Sequence, residues 1–89
     1  MRNGEKYRSK SNGRRSIVVT GTFNNFSREG ILDILSALGA RTSEHVTEDT
    51  DYLIYGAVPI GRKIGLAVQY GVNMISEDEF GEMLSRANN

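Results

Sequence analysis

Cysteine and tryptophan are absent from the 89 residues, and proline and histidine each occur once. Without cysteine there is no disulfide framework and no thiolate metal site, a composition that fits a reducing compartment. Long apolar runs are missing too, so nothing reads as a membrane span, and the opening MRNGEKYRSK lacks the apolar stretch of a secretory signal. The expected location is the cytoplasm or nucleoid of a bacterium, or a nucleus. The length suits one small domain with a single modest core rather than two lobes around a cleft, which argues against multi-step catalysis.

Net charge is zero, but it is unevenly divided. Residues 1–15 carry Arg2, Lys6, Arg8, Lys10, Arg14 and Arg15 against Glu5 alone, a charge of +5; residues 16–89 carry five basic and ten acidic side chains, a charge of −5. Residues 1–15, rich in Gly, Asn and Ser and without apolar periodicity, read as a basic flexible arm. The arm is either a solubilising leader or a segment that engages nucleic-acid phosphates. Residues 16–89 read as the folded domain.

Within that domain the apolar period switches repeatedly between strand and helix. Ile17-Val18-Val19 is a β-branched central strand that ends abruptly on Thr20-Gly21. Ser27 is an N-cap for a helix carrying Ile31, Leu35 and Leu38 at helical spacing, with Gly39 as its stop. Arg41-Thr42-Ser43 is a short edge strand, and Tyr52-Leu53-Ile54-Tyr55 a second clear one. After GAVPIG comes a helix with Ile64, Ala67 and Val68 on one face, ending at Gly71. Asn73-Met74-Ile75 is the last strand, and Ser76 with Glu79 forms a capping box ahead of Phe80, Met83 and Leu84. The order β-α-β-β-α-β-α predicts an α/β fold with a mostly parallel sheet covered on both faces. Ligands of such sheets collect beyond the carboxyl ends of the strands, where Thr20-Gly21 and the loop GAVPIGRK both fall.

That loop nearly satisfies the phosphate-loop pattern G-x-x-x-x-G-K-[ST] between a strand and a helix. However, Arg62 stands where the pattern wants lysine, Lys63 where it wants a hydroxyl, and Pro59 removes an amide. The loop reads instead as one that delivers cations to a helix N-terminus suited to an anion. Other candidates for chemistry are poor. His45 is a lone histidine in a polar loop. Glu48, Asp49 and Asp51 lack calcium-loop spacing and read as a solvated turn with Thr50, and Glu77, Asp78 and Glu79 complement a helix dipole. Tyr7 is a single aromatic in the arm, a thin signal for base stacking. No catalytic constellation, metal site or cofactor is expected.

VVTGTF, SREGILDILSALGA, TDYLIYG and a lysine-bearing helix leading to YGVNMISEDEFGEML together resemble a BRCT domain over residues 16–86. The pattern is similar to the BRCT modules of NAD-dependent bacterial DNA ligases and of the large subunit of replication factor C. Many BRCT domains carry tryptophan in the last helix, where this chain has Phe80, which points away from the tandem scaffold branch. The resemblance implies a four-stranded parallel sheet of order 2-1-3-4 flanked by three helices. The helices from Ser27 and Ser76 would share one face, with their apolar stripes packed together, and the helix from Arg62 would cover the other.

By the same resemblance, Thr20 and the Gly21 amide hydrogen-bond a phosphate, Lys63 neutralises it and Arg28 adds a guanidinium, with Arg62 beside them. Hydroxyl, freed amide, bidentate guanidinium and mobile ammonium suit a phosphate dianion. Taken singly, these residues are more readily a strand end, a turn former and two solvated cations; their shared order and spacing favours the site. The implied function is a non-catalytic module binding the 5′-phosphate of a duplex DNA end or nick within a ligase, clamp-loader or exonuclease system, and a monomer is expected. The alternative is a phosphopeptide or protein-interaction module. The basic arm, with Arg8, Lys10, Arg14 and Arg15 nearest the domain, favours DNA.

Overall fold

Every residue of β1 (Ser16–Thr20) is buried, the condition of a strand with neighbours on both edges and cover on both faces. The computed structural model of the chain describes residues 15–57 and 61–87. β1 is followed by α1 (Arg28–Ala37), β2 (Arg41–Ser43), β3 (Tyr52–Tyr55), α2 (Gly61–Tyr70), β4 (Asn73–Ser76) and α3 (Glu77–Ala87). The four strands form one sheet of order β2-β1-β3-β4, all pairs parallel, as expected. In this register Val18 stands between Ser43 on one side and Leu53 on the other. The short β2, exposed along its length, is a polar edge that discourages pairing with other chains.

Alternation along the strands sorts the apolar side chains into two clusters. Ile17, Val19 and Ile54 pack with Ile31 and Leu35 of α1 and Phe80 of α3. Val18 and Leu53 pack on the opposite face with Ala67 of α2, Val46 and Val72. Thus α1 and α3 share one face and α2 covers the other.

Local chemistry sets the helix limits. The Ser27 Oγ accepts from the Gly30 N–H at 2.9 Å, capping α1. Gly39 and Gly71, at φ 86° and 69°, turn the chain out of α1 and α2 through a conformation that side chains disfavour. The expected capping box at α3 is closed: the Ser76 Oγ accepts from the Glu79 N–H and the Glu79 Oε1 from the Ser76 N–H. The loop before β3 is more built than a solvated turn. Asp51 Oδ2 accepts from the Ser16 N–H at 2.8 Å, and the Asp51 N–H donates to the Ser16 carbonyl, so the carboxylate expected in solvent ties β3 to the start of β1. Thr50 is buried, its Oγ1 accepting from the Thr47 N–H.

Three apolar residues depart from the expected stripes. Leu38 is 71% exposed because it is the C-cap of α1, where ψ has opened to 0° and helical spacing no longer aims the side chain at the sheet. Met83 is 48% exposed, and with Leu38, Leu84 and Ile75 it lines an apolar groove of about 420 Å³ where α1 and α3 part. Val68 is 65% exposed. The inward stripe of α2 runs instead through Lys63, Leu66, Ala67 and Tyr70, each at least half-buried, with Ile64 beside it.

These positions make distinct stability predictions. Leu35→Ala and Phe80→Ala should each lose about 2–5 kcal/mol in urea unfolding, as truncations that leave cavities. Leu38→Ala and Met83→Ala should stay within about 0.5 kcal/mol. Equal losses at all four would mean that the groove is closed in solution.

Candidate functional site

The crossover from β1 runs outward to β2, and that from β3 runs the other way to β4, so the connections diverge between β1 and β3. Ligand sites of parallel sheets form at such a point, beyond the carboxyl ends of the strands. Here the two chains come very close. The Gly56 N–H donates to the Thr20 carbonyl at 3.0 Å, and Thr22 and Ala57 exchange a pair of N–H···O bonds of 2.8 and 2.7 Å. Gly21 makes the turn at φ 91°, where a Cβ would lie 2.9 Å from the Ala57 carbonyl oxygen. A Cβ on Gly56 would fall inside the Thr22 carbonyl. Both glycines are therefore required for the approach of backbone to backbone, whatever else they bind.

Thr20, the last residue of β1, is 1% exposed, and alternation puts its side chain on the α2 face with that of Val18. Its Oγ1 is buried without a hydrogen-bond partner, the one such side-chain atom among the described residues. Lys63 lies on the same face, in the first turn of α2 and at the amino end of the stripe that faces the sheet. Arg62 is exposed beside it, and the first turn of α2 holds no acidic residue. Arg28 is the exposed first residue of α1, on the opposite face. Thr20, Lys63 and Arg28 thus share the carboxyl edge, with the first two on one face and the third across the sheet. None of Arg28, Arg62 and Lys63 forms an ion pair among the described residues.

Arg15 belongs with the domain rather than the arm. Its guanidinium donates to the Tyr52 hydroxyl at 2.9 Å and lies 5.5 Å from that ring's centroid, while its carbonyl accepts from the Arg41 N–H. Arg8, Lys10 and Arg14 lie outside the described residues. His45 is exposed, in a local turn with Ser43. Among the described residues no group of three or more His, Cys, Asp or Glu could hold a metal, and no helix is long and apolar enough to cross a membrane.

The residue that sequence reasoning underrated is Glu77. Read as a dipole partner, it is buried, and its carboxylate reaches across to the loop between β1 and α1. Oε2 accepts from the Asn25 N–H at 2.6 Å and Oε1 from the Asn24 N–H at 3.0 Å. Next to this clamp Phe26 packs edge-on against Phe80, ring centroids 5.4 Å apart. No local signal marks Glu77, because the amides it binds are more than fifty positions away. The N–H of Asn25, then that of Asn24, hold the carboxyl below its ordinary value of 4.5, with burial opposing them.

The depressed pKa sets a direction for stability against pH. The folded state binds this proton less readily than the unfolded chain, so the contribution is present above pH 4.5 and is lost as pH falls through the lower folded value. Glu77→Gln should melt below the wild type at pH 7, and the gap should narrow steadily in melts taken below pH 4.5. A gap independent of pH would mean that the carboxylate charge contributes nothing.

The chain matches the family model of the BRCA1 C Terminus (BRCT) domain over residues 14–84. A DNA ligase of Clostridium botulinum is 44% identical over 70 residues, which cover 79% of this chain and 10% of that protein. A DNA ligase of Thermosipho africanus is 42% identical over 69 residues, covering 78% and 10%. The chain spans about a tenth of the length of the curated relatives it matches. With a family match over most of its length, and a parallel sheet of order β2-β1-β3-β4 flanked by three helices, the chain belongs to the BRCT domain family.

Proposed function

We propose that this chain is the BRCT module of a bacterial DNA ligase, working in the cytoplasm or nucleoid. It binds a duplex DNA end or nick through the 5′-phosphate, held by Thr20, the Gly21 amide, Lys63 and Arg28, with Arg62 adjoining. The observation that carries the reading is the buried, unpartnered Thr20 Oγ1. An orphaned hydroxyl costs about 1–3 kcal/mol, and buried polar groups nearly always find a partner. A phosphate oxygen seated at the turn supplies the missing acceptor.

Charge supports the same ligand. Cations in the first turn of a helix oppose its dipole unless an anion is present, and α2 carries Arg62 and Lys63 there with no carboxylate beside them. Lys63 shares the α2 face with Thr20, so a dianion at that flank of the turn meets hydroxyl and ammonium together. The names of the relatives, DNA ligases of bacteria, favour DNA as the source of the phosphate. One feature favours a protein partner instead, the apolar groove lined by Leu38 and Met83.

Thr20→Val tests the site directly, because it removes the hydroxyl and keeps the shape. Stability should be unchanged or rise by up to about 1 kcal/mol, since an unpartnered group is lost. Preference for a 5′-phosphorylated duplex over the same duplex dephosphorylated should fall, and Lys63→Ala should erase most of it. Equal binding of both duplexes by the wild type sinks the site. A phosphoserine peptide in the same titration separates the sources, and its tighter binding would transfer the site to protein recognition.

The basic segment contributes separately in this proposal, through DNA phosphates and without regard to the end. Each phosphate neutralised adds about 0.9 to the slope of log affinity against log salt. If three of its cations engage, deleting residues 1–14 should flatten the slope by roughly 3 and leave the 5′-phosphate preference in place. An unchanged slope would make the segment a passive leader.

A further inference from the structure

We propose that Glu77 is the positioning residue of the anion site: by holding the Asn24 and Asn25 amides, it fixes the loop that joins Thr20-Gly21 to Arg28. The inference rests on the phosphate-site reading above and names the residue that would set that site's geometry.

The loop from Gly21 to Ser27 carries the turn at one end and the guanidinium at the other. It is held at three places. The paired bonds of Thr22 and Ala57 fix its start, and the Ser27 cap fixes its end. The middle is fixed only from outside, by Glu77 through bonds of 2.6 and 3.0 Å and by the Phe26–Phe80 contact. Glu77 is in turn anchored. It is the first residue of α3 and lies within the capping box that locks Ser76 to Glu79. The clamp therefore ties the loop to β4 and α3, elements that otherwise take no part in the site.

The clamp also sets which donors meet an anion. Two adjacent N–H groups in an exposed loop, Asn24 and Asn25, would form a competing anion cradle. With both bound by the carboxylate, the phosphate is left to Gly21, Thr20, Lys63 and Arg28. The carboxylate is spent on these two amides, and its own charge near the site disfavours an anion that strays towards the cleft formed by Asn24, Gly56, Ser76 and Asp78.

Positioning and plain electrostatics predict opposite signs for Glu77→Gln in the full chain. Removing a negative charge should strengthen phosphate binding if charge alone matters. If Glu77 positions the loop, the ratio of affinities for 5′-phosphorylated and dephosphorylated duplex should fall roughly tenfold, the scale of one misplaced charge-assisted bond. The Asn24 and Asn25 amide resonances should shift in the same variant, reporting the lost clamp. Glu82→Gln, which removes a charge from an exposed position on the same helix, should leave the ratio unchanged. A retained or raised ratio in Glu77→Gln overturns the proposal while the phosphate site stands. A wild-type ratio of one overturns both. Should Glu77→Gln not fold, Glu77→Asp keeps the charge but is too short to reach both amides, and the same outcomes apply to it.

Discussion

The close approach of backbone to backbone at Gly21 and Gly56 is the constraint on which the rest of the molecule depends. Thr22 and Ala57 can exchange their two hydrogen bonds only because no Cβ intervenes at either glycine. The pairing draws the chain leaving β1 against the chain leaving β3, directly beyond the sheet. From this junction α1 departs to one face and α2 to the other. A side chain at Gly56 would meet the Thr22 carbonyl and push the two segments apart.

The ionisable groups near this edge divide by what they bind. Three carboxylates accept from protein N–H groups: Glu77 from Asn24 and Asn25, the exposed Glu79 from Ser76, and Asp51 from Ser16 at the other end of the sheet. At Glu77 the amides of Asn25 and Asn24 favour the ionised form, so this acid contributes to order while remaining charged. The cations Arg28, Arg62 and Lys63 are not used in this way by the described residues. The edge therefore carries both signs, with Glu29, Asp78 and Glu79 in the first turns of α1 and α3. In the proposed function the three cations are the ligand's share of the electrostatics, and the orphaned Thr20 hydroxyl is the stability set aside for it.

The core and the groove show how a small sheet limits its cover. α1 and α3 lie side by side over β1 and β3, and Ile31, Leu35 and Phe80 close the layer near the sheet. Further along, the two helices part, and Leu38 and Met83 remain in solvent. Phe26 packs edge-on to the ring of Phe80. The aromatic pair and the Glu77 clamp act on the same loop, so α3 contributes to the edge as much as to the core.

Much of this was determined by sequence alone, because the signals are local. Ser27 with Gly30, Ser76 with Glu79, and the stops at Gly39 and Gly71 are interactions within one turn of chain, and the structure contains each of them. The β-branched run at Ile17-Val18-Val19 specified a central strand for the same reason. Tertiary structure decided what depends on partners far along the chain. Asp51 and Glu77 looked like surface acids until β1 and the Asn24-Asn25 loop came within reach of their oxygens. Arg15 looked like part of a basic arm until Tyr52 received it. Helical spacing grouped Leu38 and Val68 with the core, but the spacing specifies only a face of a helix. Which part of that face meets the sheet, and where the helix ends above it, is settled by how the layers stack.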